Sequence, residues 1–186
     1  MHYNLKKYYF INKFNTKIID NLDKQTIIIY RNYSQNKHNK SLIIKLKEYC
    51  KKKQIQFLLA NNIKLAMKLG LNGAYIPSFN KQKNHLSYSI NKKFLLIGSA
   101  HNLKELRIKE LQKVDQIVIS SLFKKNKNYL GIYKFKLLRN LTKKQIIPLG
   151  GLSEINLKKL KLINCNCFAG ISFFEKKKAP KIRGLL

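Results

Sequence analysis

The residues best suited to chemistry form two short turns in the carboxyl-terminal part of the chain. The first turn contains Gly150 and Gly151, which lack the side chains that would keep an oxyanion away from backbone N–H groups. Ser153 follows as a candidate helix cap, and the dipole of such a helix would favour a phosphate. The second turn offers the hydroxyl and N–H group of Ser172. The two turns predict a phosphate site, although a plain tight turn would also use a Gly-Gly pair.

Several other side chains have the chemistry to act on phosphates or protons. Arg31 carries a fixed guanidinium, which suits a diphosphate. His101 is the natural group for proton transfer near neutral pH, and Ser99 adds a hydroxyl beside it. Lys127 lies in a lysine-rich stretch. Purely structural roles remain open: Ser99 and Asn102 as helix caps with His101 packed at the helix start, and the lysines as part of a solvated loop.

Short apolar runs recur along the chain at nearly even spacing and predict the elements that position these groups. The runs are rich in β-branched and aromatic residues and apolar on both faces, as in parallel strands covered by helices. Amphipathic or lysine-rich stretches separate them, which predicts an α/β fold, and eight strands favour a compact, single-domain (β/α)8 TIM barrel over residues 1–186. The predicted strands are Tyr8–Ile11, Thr26–Tyr30, Gln56–Leu59, Gly73–Ile76, Phe94–Ile97, Gln116–Ile119, Gln145–Leu149 and Phe168–Ile171.

The clearest predicted helices are Ser41–Lys52 and Asn102–Gln112. In the second, Leu103, Leu106 and Leu111 share the predicted inner face. In such barrels the functional groups follow the carboxyl ends of the strands, so the residues named above would meet at one mouth. Turns after strands seven and eight are a recurrent phosphate site in this fold.

The composition has one extreme feature, a formal net charge of +31 from 39 Lys and Arg residues against 8 Asp and Glu residues. Such a charge is typical of proteins that bind nucleic acid or membrane surfaces. The alternative is compositional drift, because Lys, Asn, Ile, Tyr and Phe are all abundant and the lysines form no single basic arm. A role in nucleic-acid binding therefore stays open but disfavoured.

The cysteines and apolar runs predict a reduced, cytoplasmic protein without a membrane segment. Cys50, Cys165 and Cys167 form no C-x-x-C pair, and Cys50 and Cys167 fall in patterns typical of core residues. No apolar run approaches the length of a membrane span.

Residues 57–80, with the sequence F-L-L-A-N-N-I-K-L-A-M-K-L-G-L-N-G-A-Y-I-P-S-F-N, resemble the third and fourth units of the thiamine phosphate synthase family. The resemblance covers nearly the whole chain. Among the turn residues, Gly150, Gly151, Asn156, Ile171 and Ser172 match positions that grip the thiazole phosphate in that family. The resemblance therefore implies the same substrate-phosphate site here.

The other matches to this family are partial. Ser99 corresponds to a serine near the diphosphate, and His101 to a region that holds the proton shuttle in the related thiazole tautomerases. Arg31 matches one residue of a three-residue pattern, while Tyr33 stands where the family has Lys. Lys127 lies about one position from a lysine that reaches the diphosphate in the family. The resemblance implies catalytic roles for the four matched residues Arg31, Ser99, His101 and Lys127.

The chain departs from this family at the metal-binding positions. Asn61 and Asn80 stand where the family has aspartates that bind magnesium. Of the 8 acidic residues, only Glu154 and Glu175 follow a predicted strand. Because magnesium needs carboxylate ligands beside the substrate's phosphates, a dedicated magnesium site is not expected, and no other cofactor is predicted.

The resemblance implies an enzyme of thiamine biosynthesis that joins a pyrimidine diphosphate to a thiazole phosphate, with phosphorylated small molecules as its partners. Loss of the metal carboxylates leaves three alternatives open: a synthase with weakened catalysis, a metal-independent thiazole tautomerase, and a non-catalytic protein that binds a phosphorylated metabolite or nucleic acid.

Overall fold

Eight parallel β-strands close into a barrel in chain order in the computed structural model, which describes residues 5–33 and 39–176. The first strand pairs with both the second and the last, which completes the closure. The predicted (β/α)8 barrel is therefore confirmed. The strands are β1 Lys6–Ile11, β2 Thr26–Tyr30, β3 Gln56–Ala60, β4 Gly73–Ile76, β5 Leu95–Ala100, β6 Gln116–Ser120, β7 Gln145–Leu149 and β8 Cys167–Gly170.

Helices or 3-10 turns connect the strands on the outside of the barrel. Side chains of Asn15, Asn39, Asn62 and Asn102 accept the hydrogen bonds that begin four of the helices. None of the helices among the described residues combines the length and the hydrophobicity that a membrane crossing requires. The helices are α1 Thr16–Asp20, α2 Lys40–Lys52, α3 Ile63–Lys68, α4 Leu103–Leu111, α5 Gly131–Asn140 and α6 Ser172–Lys176, with 3-10 helices at Asn84–Ser87 and Leu157–Ile163.

The core has two layers because successive strand residues point to opposite faces of the sheet. The outer layer lies between the sheet and the helices. The inner layer fills the barrel with side chains from all eight strands: Tyr8, Phe10, Ile27, Ile29, Leu58, Ala60, Tyr75, Ile97, Val118, Ile147, Cys167 and Ala169. The interior is thus a packed core.

A chain of polar side chains crosses the lower part of the barrel interior. The hydroxyl of Tyr8 donates to Oε1 of Gln116 at 2.7 Å, and Nε2 of Gln116 donates to Oε1 of Gln145 at 2.6 Å. Burial raises the pKa of Tyr8, so the phenol keeps its proton. These bonds satisfy polar groups that would be costly inside an apolar core.

Three sequence-based details are wrong in ways that bear on the site. Strand β8 ends at Gly170, so Ile171 lies in the turn after the strand, and β5 continues to Ala100, so Ser99 lies within the strand. On α4, only Leu106 of the predicted inner face is buried, while Leu103 and Leu111 are exposed. A lysine, Lys109, takes the second buried position of that helix.

Candidate active site at the carboxyl end of the barrel

The carboxyl ends of all eight strands open onto one mouth, since every strand pair is parallel. Arg31 follows the interior residues Ile27 and Ile29 at two-residue steps, and Ser99 follows Ile97 in the same way. Both predicted site residues therefore face the interior side at the top of the barrel.

Arg31 and Ser99 meet at Tyr75, which projects into the barrel from β4. The guanidinium carbon of Arg31 lies 5.0 Å from the centre of the Phe10 ring, and that ring packs edge-on against Tyr75. Burial raises the pKa of Tyr75, while a hydrogen bond between the Tyr75 and Ser99 side chains and the charge of Arg31 oppose the rise. Sequence reasoning missed Tyr75. The clue in the sequence was a tyrosine, with its polar hydroxyl, at an inward-facing position near the carboxyl end of β4.

A cavity of about 240 Å³ joins Arg31 to Ile171 on the side of the mouth formed by β1, β2 and β8. Phe10, Lys13 and the carboxylate-bearing Glu175 also line it. The structure therefore brings together Arg31 and Ile171, which the sequence assigned to different substrate groups. Ser172 begins α6 directly after this cavity and is exposed.

The turn after β7 needs its glycines for a reason that the sequence did not reveal. Gly150 and Gly151 have φ values of +104° and +74°, which side chains rarely allow. A Cβ on Gly150 would lie 2.4 Å from Oγ of Ser121, and one on Gly151 would lie 2.5 Å from the backbone nitrogen of Lys124. The glycines thus let two loops pack together, and phosphate binding at this turn stays a prediction.

Asn156 fixes the shape of the same turn. Its Nδ2 group donates to the carbonyl oxygen of Gly151 at 2.8 Å, and its Oδ1 accepts from the backbone nitrogen of Ser153 at 2.9 Å. The predicted cap at Ser153 is wrong, because the next element is a 3-10 helix that follows Asn156 and has no side-chain cap. No α-helix begins at Ser153, so a helix dipole cannot favour phosphate binding at this turn.

His101 lies just above β5 and is held by β6. Its Nδ1 is 2.8 Å from the carbonyl oxygen of Ser120 and 3.0 Å from Oγ of the same residue. Because a carbonyl oxygen only accepts hydrogen bonds, Nδ1 is the donor, and in the neutral ring the lone pair is therefore on Nε2. The backbone nitrogen of His101 also donates to Glu105, which fixes the start of α4. In this tautomer His101 can accept a proton at Nε2.

Lys127 is exposed on the loop after β6, together with Lys124 and Lys125. Phe123, in the same loop, packs against the outer core layer. The structure thus anchors the loop beside the glycine turn but does not single out Lys127 among its lysines. Its catalytic role stays a prediction.

Asn61 and Asn80 lie side by side, as expected if they occupy a former metal site. Nδ2 of Asn80 donates to Oδ1 of Asn61 at 2.7 Å. Oδ1 of Asn80 accepts from the backbone nitrogen of Gln82 at 2.9 Å, so the orientation of this amide is fixed by a backbone donor. Both side-chain oxygens are already engaged.

The residues present at this position do not fit magnesium. The ion prefers charged oxygen ligands in octahedral geometry, and the pair offers two neutral amides whose oxygens are hydrogen-bonded. Within residues 5–33 and 39–176, no group of three or more His, Cys, Asp or Glu side chains could hold a metal ion.

A larger cavity, about 1330 Å³, lies beside the starts of β7 and β8 and contains none of the predicted site residues. Several basic side chains line it, among them Arg139, Lys143 and Lys158. Nucleic-acid binding by this or any other basic surface stays a prediction.

Comparisons with known proteins agree with the geometry. A sequence profile of the family described as thiamine monophosphate synthase matches residues 13–174. The thiamine-phosphate synthase of Lactococcus lactis subsp. cremoris is 23% identical over 164 residues, covering 86% of this chain and 73% of the relative. The thiamine-phosphate synthase of Persephonella marina is 24% identical over 159 residues, covering 79% and 73%.

Solved structures show the same fold. Thiamine phosphate pyrophosphorylase from Pyrococcus furiosus superposes with a TM-score of 0.73 at 16% identity, over 91% of this chain and 87% of that chain. The enzyme from Bacteroides thetaiotaomicron gives 0.62 at 14% identity, over 97% and 89%. Since the family match extends from before β2 to beyond β8, the chain belongs to the thiamine monophosphate synthase family.

Proposed function

We propose that this protein is a thiamine phosphate synthase of reduced catalytic power, which joins a pyrimidine diphosphate to a thiazole phosphate. One observation carries the proposal: Arg31, which matches a diphosphate position of the family, lies over the Phe10 ring, and that ring packs against Tyr75 next to Ser99, the second such position. A guanidinium and a hydroxyl on the same side of the barrel can bind a diphosphate with directed hydrogen bonds.

In the proposed reaction the carbon–oxygen bond between the pyrimidine methylene and its diphosphate breaks, and diphosphate leaves with the electron pair. The thiazole nitrogen donates its lone pair to the resulting carbocation and becomes positively charged. Arg31 would balance the charge that grows on the departing diphosphate. The turns at Gly151 and Ser172 would hold the thiazole phosphate, so that the two reactants meet in register.

The rate should be low because the mouth lacks the two metal-binding carboxylates of the family. Fixed charges that stabilise a leaving group usually contribute orders of magnitude to the rate. The residues present therefore best support a synthase that binds both substrates but turns over slowly.

The decisive experiment incubates the purified protein with both substrates and follows thiamine phosphate by mass spectrometry and diphosphate by a coupled assay. Arg31→Gln should abolish product formation. Arg107→Gln is the matched control, because that arginine is exposed on α4 and pairs with Glu110. Equal activity of wild type and Arg31→Gln would refute the assigned role.

A second candidate, a thiazole tautomerase, is favoured by the geometry of His101 alone. The Ser120 carbonyl holds the tautomer in which Nε2 can accept a proton, and a tautomerase needs a proton shuttle but no metal. Incubation with the thiazole carboxylate tautomer, with His101→Gln as the test variant, separates this activity from synthesis. Tight phosphate binding without either activity would favour the binding-only alternative.

A further inference from the structure

Lys109 on α4 is completely buried, an unusual environment for a lysine. Its Nζ donates hydrogen bonds to the carbonyl oxygens of Pro77 and Asn80 at 2.8 and 2.7 Å and to Oε1 of Gln112 at 2.8 Å. All three N–H donors of the ammonium are thus used, and the two carbonyls belong to the loop after β4. Lys109 therefore links α4 to the backbone of the loop after β4.

The neighbouring residues are arranged around this lysine. A Cβ on Gly98 of β5 would lie 2.8 Å from Cδ of Lys109, so the glycine makes room for the lysine chain. Nε2 of Gln112 donates to the carbonyl oxygens of Asn80 and Gln82 at 3.1 and 2.7 Å. Nε2 of His85 lies 2.8 Å from the Gln112 carbonyl, which closes the network around the loop.

The residue held most firmly by this network is Asn80. Its carbonyl oxygen accepts from both Lys109 and Gln112, its Oδ1 accepts from Gln82, and its Nδ2 donates to Asn61. Within the described residues, Nδ2 of Asn61 has no acceptor. The pair therefore uses its oxygens internally and leaves N–H groups for a ligand, which is the opposite of what a metal cation needs.

We propose that the family's metal position has become a metal-free anion site in this protein, where the amide N–H groups of Asn61 and Asn80 bind a phosphate or diphosphate oxygen. Lys109 is the positioning residue of this site. It does not touch the ligand but fixes the loop that carries Asn80. The inference deepens the proposed function and rests on it, since it assigns the site to the diphosphate.

The environment of Lys109 indicates that its ammonium group fixes the position of the loop after β4. Burial lowers the pKa of Lys109 to about 8, and the charge of Glu105 on the same helix opposes this shift only in part. The loop after β4 faces it with neutral carbonyl oxygens, and β5 meets it at a glycine. His85 faces the Gln112 carbonyl and not the ammonium. Burying the ammonium is unfavourable, and three hydrogen bonds offset this cost: two to carbonyl oxygens of this loop and one to Oε1 of Gln112.

The test uses inorganic pyrophosphate as the probe and isothermal titration in EDTA and then in excess magnesium. The proteins are the wild type, Lys109→Met and Lys104→Met, the last a matched control because Lys104 is exposed on the same helix. Methionine keeps the length of the lysine chain but provides no donor. Side-chain amide resonances of Asn80 and hydrogen exchange at the backbone amide of Gln82 report the loop directly.

We expect the wild type to bind pyrophosphate in EDTA with little gain from magnesium. Lys109→Met should bind it at least about tenfold more weakly, as expected for the loss of charge-assisted hydrogen bonds. The Gln82 amide should exchange faster while the barrel amides stay protected, and Lys104→Met should behave like the wild type. A merely structural lysine would change barrel protection and leave the Asn80 signal in place.

Binding that requires magnesium, absence of pyrophosphate binding, or an unchanged Lys109→Met protein would each overturn the inference. If Lys109→Met does not fold, Gly98→Ala replaces it, because the new Cβ displaces the lysine chain while keeping its charge. Gly98→Ala should also show weaker pyrophosphate binding and faster exchange at the Gln82 amide. Wild-type behaviour of Gly98→Ala would also refute the inference. Pyrophosphate binding without thiamine phosphate formation would sink the proposed function only. Synthesis that depends strictly on magnesium would sink this inference only.

Discussion

Restoring both carboxylates at the Asn61–Asn80 pair should convert it into a cation site at a cost in stability. The two side chains now meet through an Nδ2–Oδ1 hydrogen bond of 2.7 Å. In Asn61→Asp/Asn80→Asp two negative oxygens would take this spacing, and their repulsion is about 1.5 kcal/mol in a water-like dielectric and about 6 kcal/mol at a dielectric of 20. Because Asn61 is exposed and Asn80 half-buried, the lower part of this range applies.

Loss of the hydrogen bond adds about 1 kcal/mol, so the double variant should be destabilised by about 2 to 3 kcal/mol in EDTA. For a chain of this size the midpoint of thermal unfolding should fall by about 5 to 10 °C. Millimolar magnesium should recover a large part of the loss, because it binds only the folded arrangement of the two carboxylates.

The assay is thermal unfolding followed by circular dichroism, in EDTA and in magnesium. Asn61→Asp alone is the matched control. Its carboxylate can still accept the hydrogen bond from Asn80, so its stability should stay near that of the wild type. A double variant that is as stable as the control, or that gains nothing from magnesium, would refute the inferred orientation of the amide pair.

Three further predictions concern stability. Gly150→Ala should lower the free energy of unfolding by about 2 to 4 kcal/mol in urea titrations, because φ is +104° and the new Cβ would meet Ser121. Gly70→Ala is the control: with φ at +58° and its nearest contact at 3.7 Å, it should lower the free energy of unfolding by about 1 kcal/mol. Gln116→Leu should lower it by about 2 to 3 kcal/mol, since the buried hydroxyl of Tyr8 loses its acceptor, and equal stability in urea would contradict that role. The stability of the wild type relative to Lys109→Met should rise by up to about 3 kcal/mol between pH 8 and 10.5, because the unfolded chain keeps the lysine proton after the folded protein has released it, and a flat difference would contradict the lowered pKa.

The barrel could be predicted from the sequence because its signals are local. Each strand is a short apolar run whose residues are buried on both faces, and β2 and β7 were predicted with the bounds that the structure has. The ends of α3 are local in the same sense, since the Asn62 side chain accepts from the backbone nitrogen of Leu65 and Gly70 has a φ of +58°. Strand ends were less certain, and β5 and β8 show that a shift of one to three residues moves a site residue into or out of a strand.

The parts of the site that the sequence did not show depend on contacts between distant residues. Lysines are normally exposed, so the sequence gives no sign that Lys109 is buried; the loop after β4 and the space at Gly98 explain its burial. The sequence left Gly150 and Gly151 open between a phosphate turn and a plain tight turn, and their close packing against the loop after β6 was not visible in it. Tyr75 was counted as part of a strand and not as the point where Arg31 and Ser99 meet.

The high positive charge of the chain does not by itself compensate for the missing metal. A formal charge of +31 draws phosphorylated anions toward the protein, but charges on exposed and flexible lysines are screened within about 10 Å and rearrange as a reaction proceeds. Stabilising a leaving diphosphate requires groups fixed in place before the reaction, and here these are Arg31, Ser99 and the amide pair held by Lys109. Substrate binding should therefore survive the loss of the carboxylates better than turnover does, so the Michaelis constants should be near those of active relatives while kcat is far lower. Michaelis constants raised along with a normal kcat would show instead that the amide pair contributes to binding alone.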